Sequence, residues 1–299
     1  MVSAGAIAGG GFRVVRERPG AVMLWALIYQ IPLVALALAM WPGEATRAAL
    51  ARGDADLAMG TSLGLGFWLA ELFFLAAFVV LLTAAMRAAL RPGEGGIGAI
   101  RLGMDELRMG GLALLQLVGF YVGLFVVGLV LAIPLGLLGG AVAGAGGLTF
   151  LIVGEGVVLT ALAVWILVRL SLAYPLTLMR GRIVIGEAWR LSSGRFWTLF
   201  GGYLIIFLSL FAFTFAATAL TSGTYLLEIA RGGFTLAALQ AATRAQLVRQ
   251  LAGIDAMMVA GWALSALVGG ISLGLYGGAM ATAARSLSAD AEGMARTFS

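Results

Sequence analysis

Cysteine, histidine and lysine are all absent from this sequence, and charged residues of either sign make up only 11% of its 299 residues. Without cysteine there are no disulfides, thiolate metal sites or cysteine nucleophiles. Without histidine, the commonest general base and the commonest metal ligand are missing. The lack of lysine removes Schiff-base chemistry and the phosphate-binding lysine of a P-loop. All 19 basic residues are arginine, a bias in keeping with a GC-rich genome. No GxSxG, HExxH, P-loop or dinucleotide fingerprint stands in a supporting context. These absences argue against an enzyme, and no cofactor, metal or nucleic acid is expected.

Apolar residues take the place of what is missing. They make up 62% of the chain, and mean hydropathy is +1.04; a soluble domain is about 45–50% apolar. The excess falls in runs long enough to cross a bilayer, which takes about 20 residues. Spans are expected at 21–41, 63–86, 111–138, 148–172, 197–221 and 256–283. Residues 1–299 are then one all-α, polytopic membrane domain with no space for a soluble one. Pro42-Gly43 stops the first span, Pro92-Gly93 follows the second, and an uncharged Gly139 to Gly147 turn joins the third to the fourth. Pro32 and Pro134 lie within spans, where each removes a backbone hydrogen bond and a kink is expected. Residues 1–19 read as the start of a signal anchor, because no small-residue cleavage pattern follows the first apolar run.

Charge sets the orientation. Arg13, Arg16 and Arg18 face only Glu17 in the N-terminal segment. The 42–62 loop holds Arg47 and Arg52 against Glu44, Asp54 and Asp56. The 87–110 loop carries Arg87, Arg91, Arg101 and Arg108 against Glu94, Asp105 and Glu106, and the 169–196 loop carries Arg169, Arg180, Arg182, Arg190 and Arg195 against Glu187. Arginine is denser in alternate loops, which places those loops and both termini in the cytoplasm of a bacterial inner membrane. The 222–255 loop departs from the pattern, with Arg231, Arg244 and Arg249 against Glu228 and Asp255. The net charge of +5 points to topology and anionic lipid headgroups rather than nucleic acid.

Both internal cytoplasmic loops read as short amphipathic helices lying in the headgroup plane. In the first, Ile97, Ile100, Met104 and Leu107 recur at helical spacing, and Arg101 and Asp105 form an i,i+4 pair. In the second, Val184, Ile185, Ala188 and Leu191 share one face and Glu187, Arg190 and Gly194 the other. The 235–251 stretch also reads as helical, without a charged side.

Three segments share a plan of one arginine-bearing interfacial stretch followed by two spans. They begin at Phe12-Arg13-Val14, Ile100-Arg101-Leu102 and Trp189-Arg190-Leu191, with the arginines 88 and 89 residues apart. Each second span ends at an arginine: Arg87, Arg169 and Arg285. The expectation is a parallel triplication with units at 10–90, 98–178 and 187–290, unlike the inverted repeats of many transporters.

The run Arg169-Leu-Ser-Leu-Ala-Tyr-Pro175, followed by Gly186-Glu-Ala-Trp-Arg-Leu-Ser-Ser-Gly-Arg-Phe-Trp197, resembles the signature of a bacterial membrane-domain family. That family includes the membrane region of some glycerophosphodiester phosphodiesterases. The resemblance spans about residues 100–290 and is sharp over 169–200. It implies a multi-helix membrane module. It does not imply phosphodiesterase activity, which belongs to a separate barrel domain that needs histidine and metal-binding acids.

Glu71 and Glu155 stand inside the second and fourth spans, about 12 Å deep at 1.5 Å per residue. A carboxylate there is costly unless paired, protonated or facing water. Either they form a protonatable or cation-binding pair in a cavity, or each is a structural acid bonded to Gln30, Gln116, Tyr29 or Tyr121. Arg169 would snorkel to the headgroups or pair with Glu187, and Arg182, Arg190 and Arg195 read as lipid-headgroup contacts. Asp255 reads as an acid at a helix N-terminus. Gly270, Gly274 and Gly278 form one small-residue ridge, and Gly119 with Gly123 another, packing within the bundle or against a second copy. Trp25, Trp41, Trp189 and Trp197 read as interfacial belt residues.

Two functions fit. The first is a non-enzymatic module that binds or organises membrane lipid, or a membrane partner complex. The second is a transporter or channel using Glu71 and Glu155.

Overall fold

Six helices in the computed structural model are long and apolar enough to cross a membrane. Residues 2–39, 65–93, 96–141, 145–221, 223–251 and 254–297 are described, and every element among them is helical. The chain is an all-α, multi-pass integral membrane protein. Its spanning helices are α2 (Pro19–Ala39), α3 (Leu65–Leu90), α4 (Met104–Ala141), α5 (Ala145–Leu170), α8 (Phe196–Thr221) and α11 (Ala256–Thr297). A helix α1 (Ala4–Glu17) precedes them, α6 (Ala173–Arg180) and α7 (Ile185–Ser192) separate α5 from α8, and α9 (Gly223–Arg231) and α10 (Leu236–Leu251) separate α8 from α11. Trp41, Pro42-Gly43 and the charged loop after them lie outside the described residues, as does the centre of the Gly139 to Gly147 turn.

Helix α11 is the hub, packing against α1, α2, α3 and α8. Lipid tails are as apolar as leucine, so helices in a bilayer associate through close packing rather than through escape from water. Glycine makes that packing possible here. A Cβ on Gly270 would stand 2.5 Å from the Val22 carbonyl oxygen of α2, and one on Gly277 would meet Ala85 of α3 at 2.6 Å. One on Gly278 would stand 2.7 Å from the Gly10 carbonyl oxygen of α1. The predicted Gly270, Gly274 and Gly278 ridge thus packs inside the bundle. Gly119 and Gly123 face open space on α4, with nothing that a Cβ would meet within 4 Å.

The hairpin of α4 and α5 is attached more loosely. It meets the rest through α3, α6, α7 and α8, and leaves Phe125, Val130, Ile152 and Val157 exposed as a lipid-facing surface.

Several elements differ from the sequence expectation. The N-terminal stretch is the helix α1, sunk against α8 and α11, with Ile7, Ala8 and Val14 buried. Residues 97–103 are not an amphipathic helix but a 3-10 turn (Ile97–Ala99) and an extended link. Gly98 at φ +66° turns the chain there, a conformation glycine adopts without cost. The carbonyls of Gly98 and Ala99 point away to accept Trp25 Nε1 and Arg87 Nη1, each at 2.8 Å. Trp25 is therefore fully buried and not a belt residue. Helix α7 forms as expected, but Val184 and Ala188 are buried where it packs on α5, α6 and α11. Helix α11, 42 residues long and about 63 Å at 1.5 Å per residue, runs 14 residues past the expected span. The helices α2 and α4 continue through Pro32 and Pro134. Asp255 does cap α11, accepting from Met258 N at 2.7 Å.

Candidate functional site

Arginine converges at one end of the bundle. The second-span ends of α3 and α5, the helices α1, α6 and α7, and the C-terminal part of α11 all meet there. Most of its arginines serve the protein itself. Helix ends leave carbonyl groups without intrahelical partners, and guanidinium groups satisfy several of them. Arg285 Nη2 donates to Ala89 O at 3.1 Å and Leu90 O at 2.7 Å, closing the end of α3. Arg18 donates to Pro92 O at 2.8 Å and Arg91 to Leu178 O at 2.9 Å.

The deepest member is Arg87, 2% exposed, which pairs with Glu106, itself 7% exposed. Glu106 also accepts from Gly103 N at 3.0 Å, the reciprocal half of a capping box at the start of α4. Asp105, in the same first turn, lies 3.7 Å from both Arg87 and Arg91 and 3.4 Å from Arg108. Acids there also complement the positive end of the helix dipole.

The segment from Arg169 to Trp197 forms a closed corner with α8. The Arg169 guanidinium lies 3.9 Å from the ring centre of Trp189 and 5.1 Å from that of Trp165. It donates to Trp189 O at 2.9 Å and Ser192 Oγ at 3.3 Å. Ser171 and Tyr203 share a hydrogen bond of 2.8 Å. Glu187 takes Arg180, at 2.9 Å, rather than Arg169. Arg195 pairs with Asp290 of α11 at 2.9 Å. Of the four arginines proposed as headgroup contacts, Arg169 and Arg195 are thus held by the protein. Arg182 and Arg190 are exposed and have no ion-pair or hydrogen-bond partner among the described residues.

This geometry separates two roles for Arg169. If it holds the corner, Arg169→Lys will lower the melting temperature nearly as much as Arg169→Ala. Lysine cannot stack flat between two indoles while donating to two acceptors. The loss is expected to be about 1–3 kcal/mol, from cation–π and charge-assisted hydrogen bonds. A lysine variant that melts with the wild type would return Arg169 to the headgroups.

Glu71 and Glu155 are not brought together by any described cavity. Glu71 is exposed on α3 beside the equally exposed Leu72 and Phe73. Glu155 is half-buried on α5 against Gly128 of α4, where an added Cβ would stand 3.8 Å from Oε1. Neither acid has a hydrogen-bond partner among the described residues. Gln116 instead reaches Leu170 O at 3.4 Å, Tyr29 packs edge-on against Phe74, and Gln30 Oε1 is buried without a partner. A cavity of about 250 Å³ between α2, α8 and α11 has Tyr29, Thr218, Ser265 and Ser272 among its lining residues, with neither carboxylate in its described wall.

The Arg87, Arg285 and Trp25 attachments escaped sequence reasoning. The one local signal was Glu106 three residues after Gly103, ahead of an apolar run. Comparison with protein-family models, curated proteins and solved structures finds no match.

Proposed function

We propose that this protein is a non-enzymatic membrane module whose arginine-rich end faces the cytoplasm and gathers anionic lipid headgroups. One observation carries the reading. Arg13, Arg16, Arg182 and Arg190 stand exposed at that end without a carboxylate partner among the described residues, while Arg87, Arg169, Arg195 and Arg285 beside them each engage carbonyls, acids or indoles of the protein. Unneutralised guanidinium groups beside a hydrocarbon layer are strongly attracted to anionic headgroups, at about 1 kcal/mol each near the surface. The likeness of residues 169–197 to a membrane-domain signature supports a module of this kind, as does the absence of histidine, cysteine and lysine. A transport role for Glu71 and Glu155 draws no comparable support: Glu71 stands exposed on α3, and Glu155 is half-buried against α4.

The test is lipid selectivity in nanodiscs of mixed phosphatidylglycerol and phosphatidylcholine. Lipids immediately around the wild type should be enriched in the anionic species, read by native mass spectrometry or spin-labelled lipids. Arg182→Gln with Arg190→Gln should cut that enrichment by up to about 30-fold, from the loss of about 1 kcal/mol per arginine. Identical lipid shells around wild type and variant would remove the proposal.

A further inference from the structure

Within the arginine-rich end, three arginines surround one cavity. It lies between α1, α11 and the end of α3, and its volume is about 570 Å³. Helical spacing puts Arg13 and Arg16 of α1 on one wall, and Thr282, Arg285 and Ser286 of α11 on the other. Among the described residues, no carboxylate lines it. Glu17, the nearest acid in sequence to Arg13 and Arg16, is exposed and pairs with neither. Asp290, one turn and a half beyond Arg285, is held by Arg195.

These guanidinium groups retain donors for a ligand. Arg13 and Arg16 have no hydrogen-bond or ion-pair partner among the described residues. Arg285 spends its Nη2 on the two α3 carbonyls, leaving the N–H groups of Nε and Nη1. Three like charges around one hollow repel one another unless an anion sits among them. We propose that the cavity binds a phosphomonoester carried by a membrane lipid. Arginine forks match phosphate oxygens bidentately, and the Thr282 and Ser286 hydroxyls add neutral donors. A phosphomonoester carries about −1.5 to −2 charges at pH 7, so it answers three arginines better than the single charge of a phosphodiester.

Size agrees with a lipid headgroup. Cavities of about 300–1,000 Å³ hold small ligands. At its other end, α1 packs beside Gly201 and Gly202, five to six residues into α8. Phe12 lines the same cavity and is 45% exposed, an apolar edge for the upper part of an acyl chain.

The inference rests on the proposal that this end gathers anionic lipid, and the experiment separates the two. Detergent-solubilised protein is titrated with phosphatidic acid, phosphatidylglycerol or phosphatidylcholine, and bound lipid is counted by native mass spectrometry. Inorganic phosphate and glycerol phosphate serve as soluble competitors. One phosphatidic acid per chain is expected to bind at least tenfold tighter than phosphatidylglycerol. Arg13→Gln with Arg16→Gln should weaken it about ten- to a hundredfold, because two charge-assisted contacts are lost.

A second variant leaves the charge alone. A Cβ on Gly9 would meet nothing within 4 Å, yet Gly9 lines the cavity. Gly9→Leu therefore fills the space without disturbing the helix packing, and should abolish the single bound phosphatidic acid while the melting temperature holds. Equal binding of phosphatidic acid and phosphatidylglycerol, or full binding by Gly9→Leu, overturns the site while the broad anionic preference read from Arg182 and Arg190 still stands. Inorganic phosphate or glycerol phosphate displacing the lipid at equal concentration also overturns it, by assigning the cavity to a soluble phosphate. Loss of every anionic preference in the wild type overturns both proposals.

Discussion

Arg87→Gln is expected to destabilise the protein more than any other single arginine substitution, by about 3–5 kcal/mol, which is the usual cost of breaking a buried ion pair. The melting temperature in detergent should fall on the order of 10 °C. Arg87 is 2% exposed and Glu106 7%, so the carboxylate left behind has little water to turn to. The same guanidinium donates to Ala99 O at 2.8 Å, and its loss also frees the extended link between α3 and α4. Arg180→Gln is the control. Its partner Glu187 is at 2.9 Å, but the pair is 41% and 22% exposed, and exposed pairs contribute about 0–1 kcal/mol. A double variant, Arg87→Met with Glu106→Gln, tests the cause. It leaves no orphan charge, and the glutamine oxygen can still accept from Gly103 N, so it should melt above Arg87→Gln alone. If Arg87→Gln and Arg180→Gln melt together, the buried pair does not hold the α3–α4 junction.

The six spans were legible in the sequence because a bilayer imposes a length and an apolarity that few other environments require. The arginine-rich end was legible only as a concentration of charge. Its individual assignments were hidden because about half of the guanidinium hydrogen bonds go to backbone carbonyls, which every residue possesses. Nothing at position 89 or 90 announces that Arg285, some 195 residues on, will donate to it. Amphipathicity misled in a related way. The apolar face expected at Val184, Ile185, Ala188 and Leu191 would suit a headgroup layer, but it suits a protein surface equally well, and Val184 and Ala188 are buried in protein. For residues 97–103 the apolar spacing was helical, yet Gly98 and the carbonyls claimed by Trp25 and Arg87 outweighed it. Glu71 and Glu155 drew notice through their depth alone, and depth does not reveal which way a side chain faces.

Glycine offers a prediction whose sign changes with position. In a helix exposed to lipid, Gly→Ala should stabilise by up to about 1 kcal/mol, because alanine loses less backbone entropy on folding. Gly119→Ala is such a case, since its Cβ would enter open space. At Gly278 the same change places a Cβ 2.7 Å from Gly10 O, 2.8 Å from Val14 Cγ2 and 2.9 Å from Gly11 Cα. Two of those atoms belong to backbone and cannot rotate aside, so α1 must shift as a body. Overpacking costs about 1–3 kcal/mol, and Gly278→Leu should exceed that range by forcing α1 off α11. The absence of native cysteine makes the displacement measurable. Ala8→Cys, at a position 3% exposed on the buried side of α1, should resist maleimide in an otherwise native chain and react readily once Gly278→Leu is added. Gly119→Leu with the same reporter should leave it protected. Equal protection in both double variants would mean that α1 is not seated on this glycine, and that the two small-residue ridges cannot be told apart by what they touch.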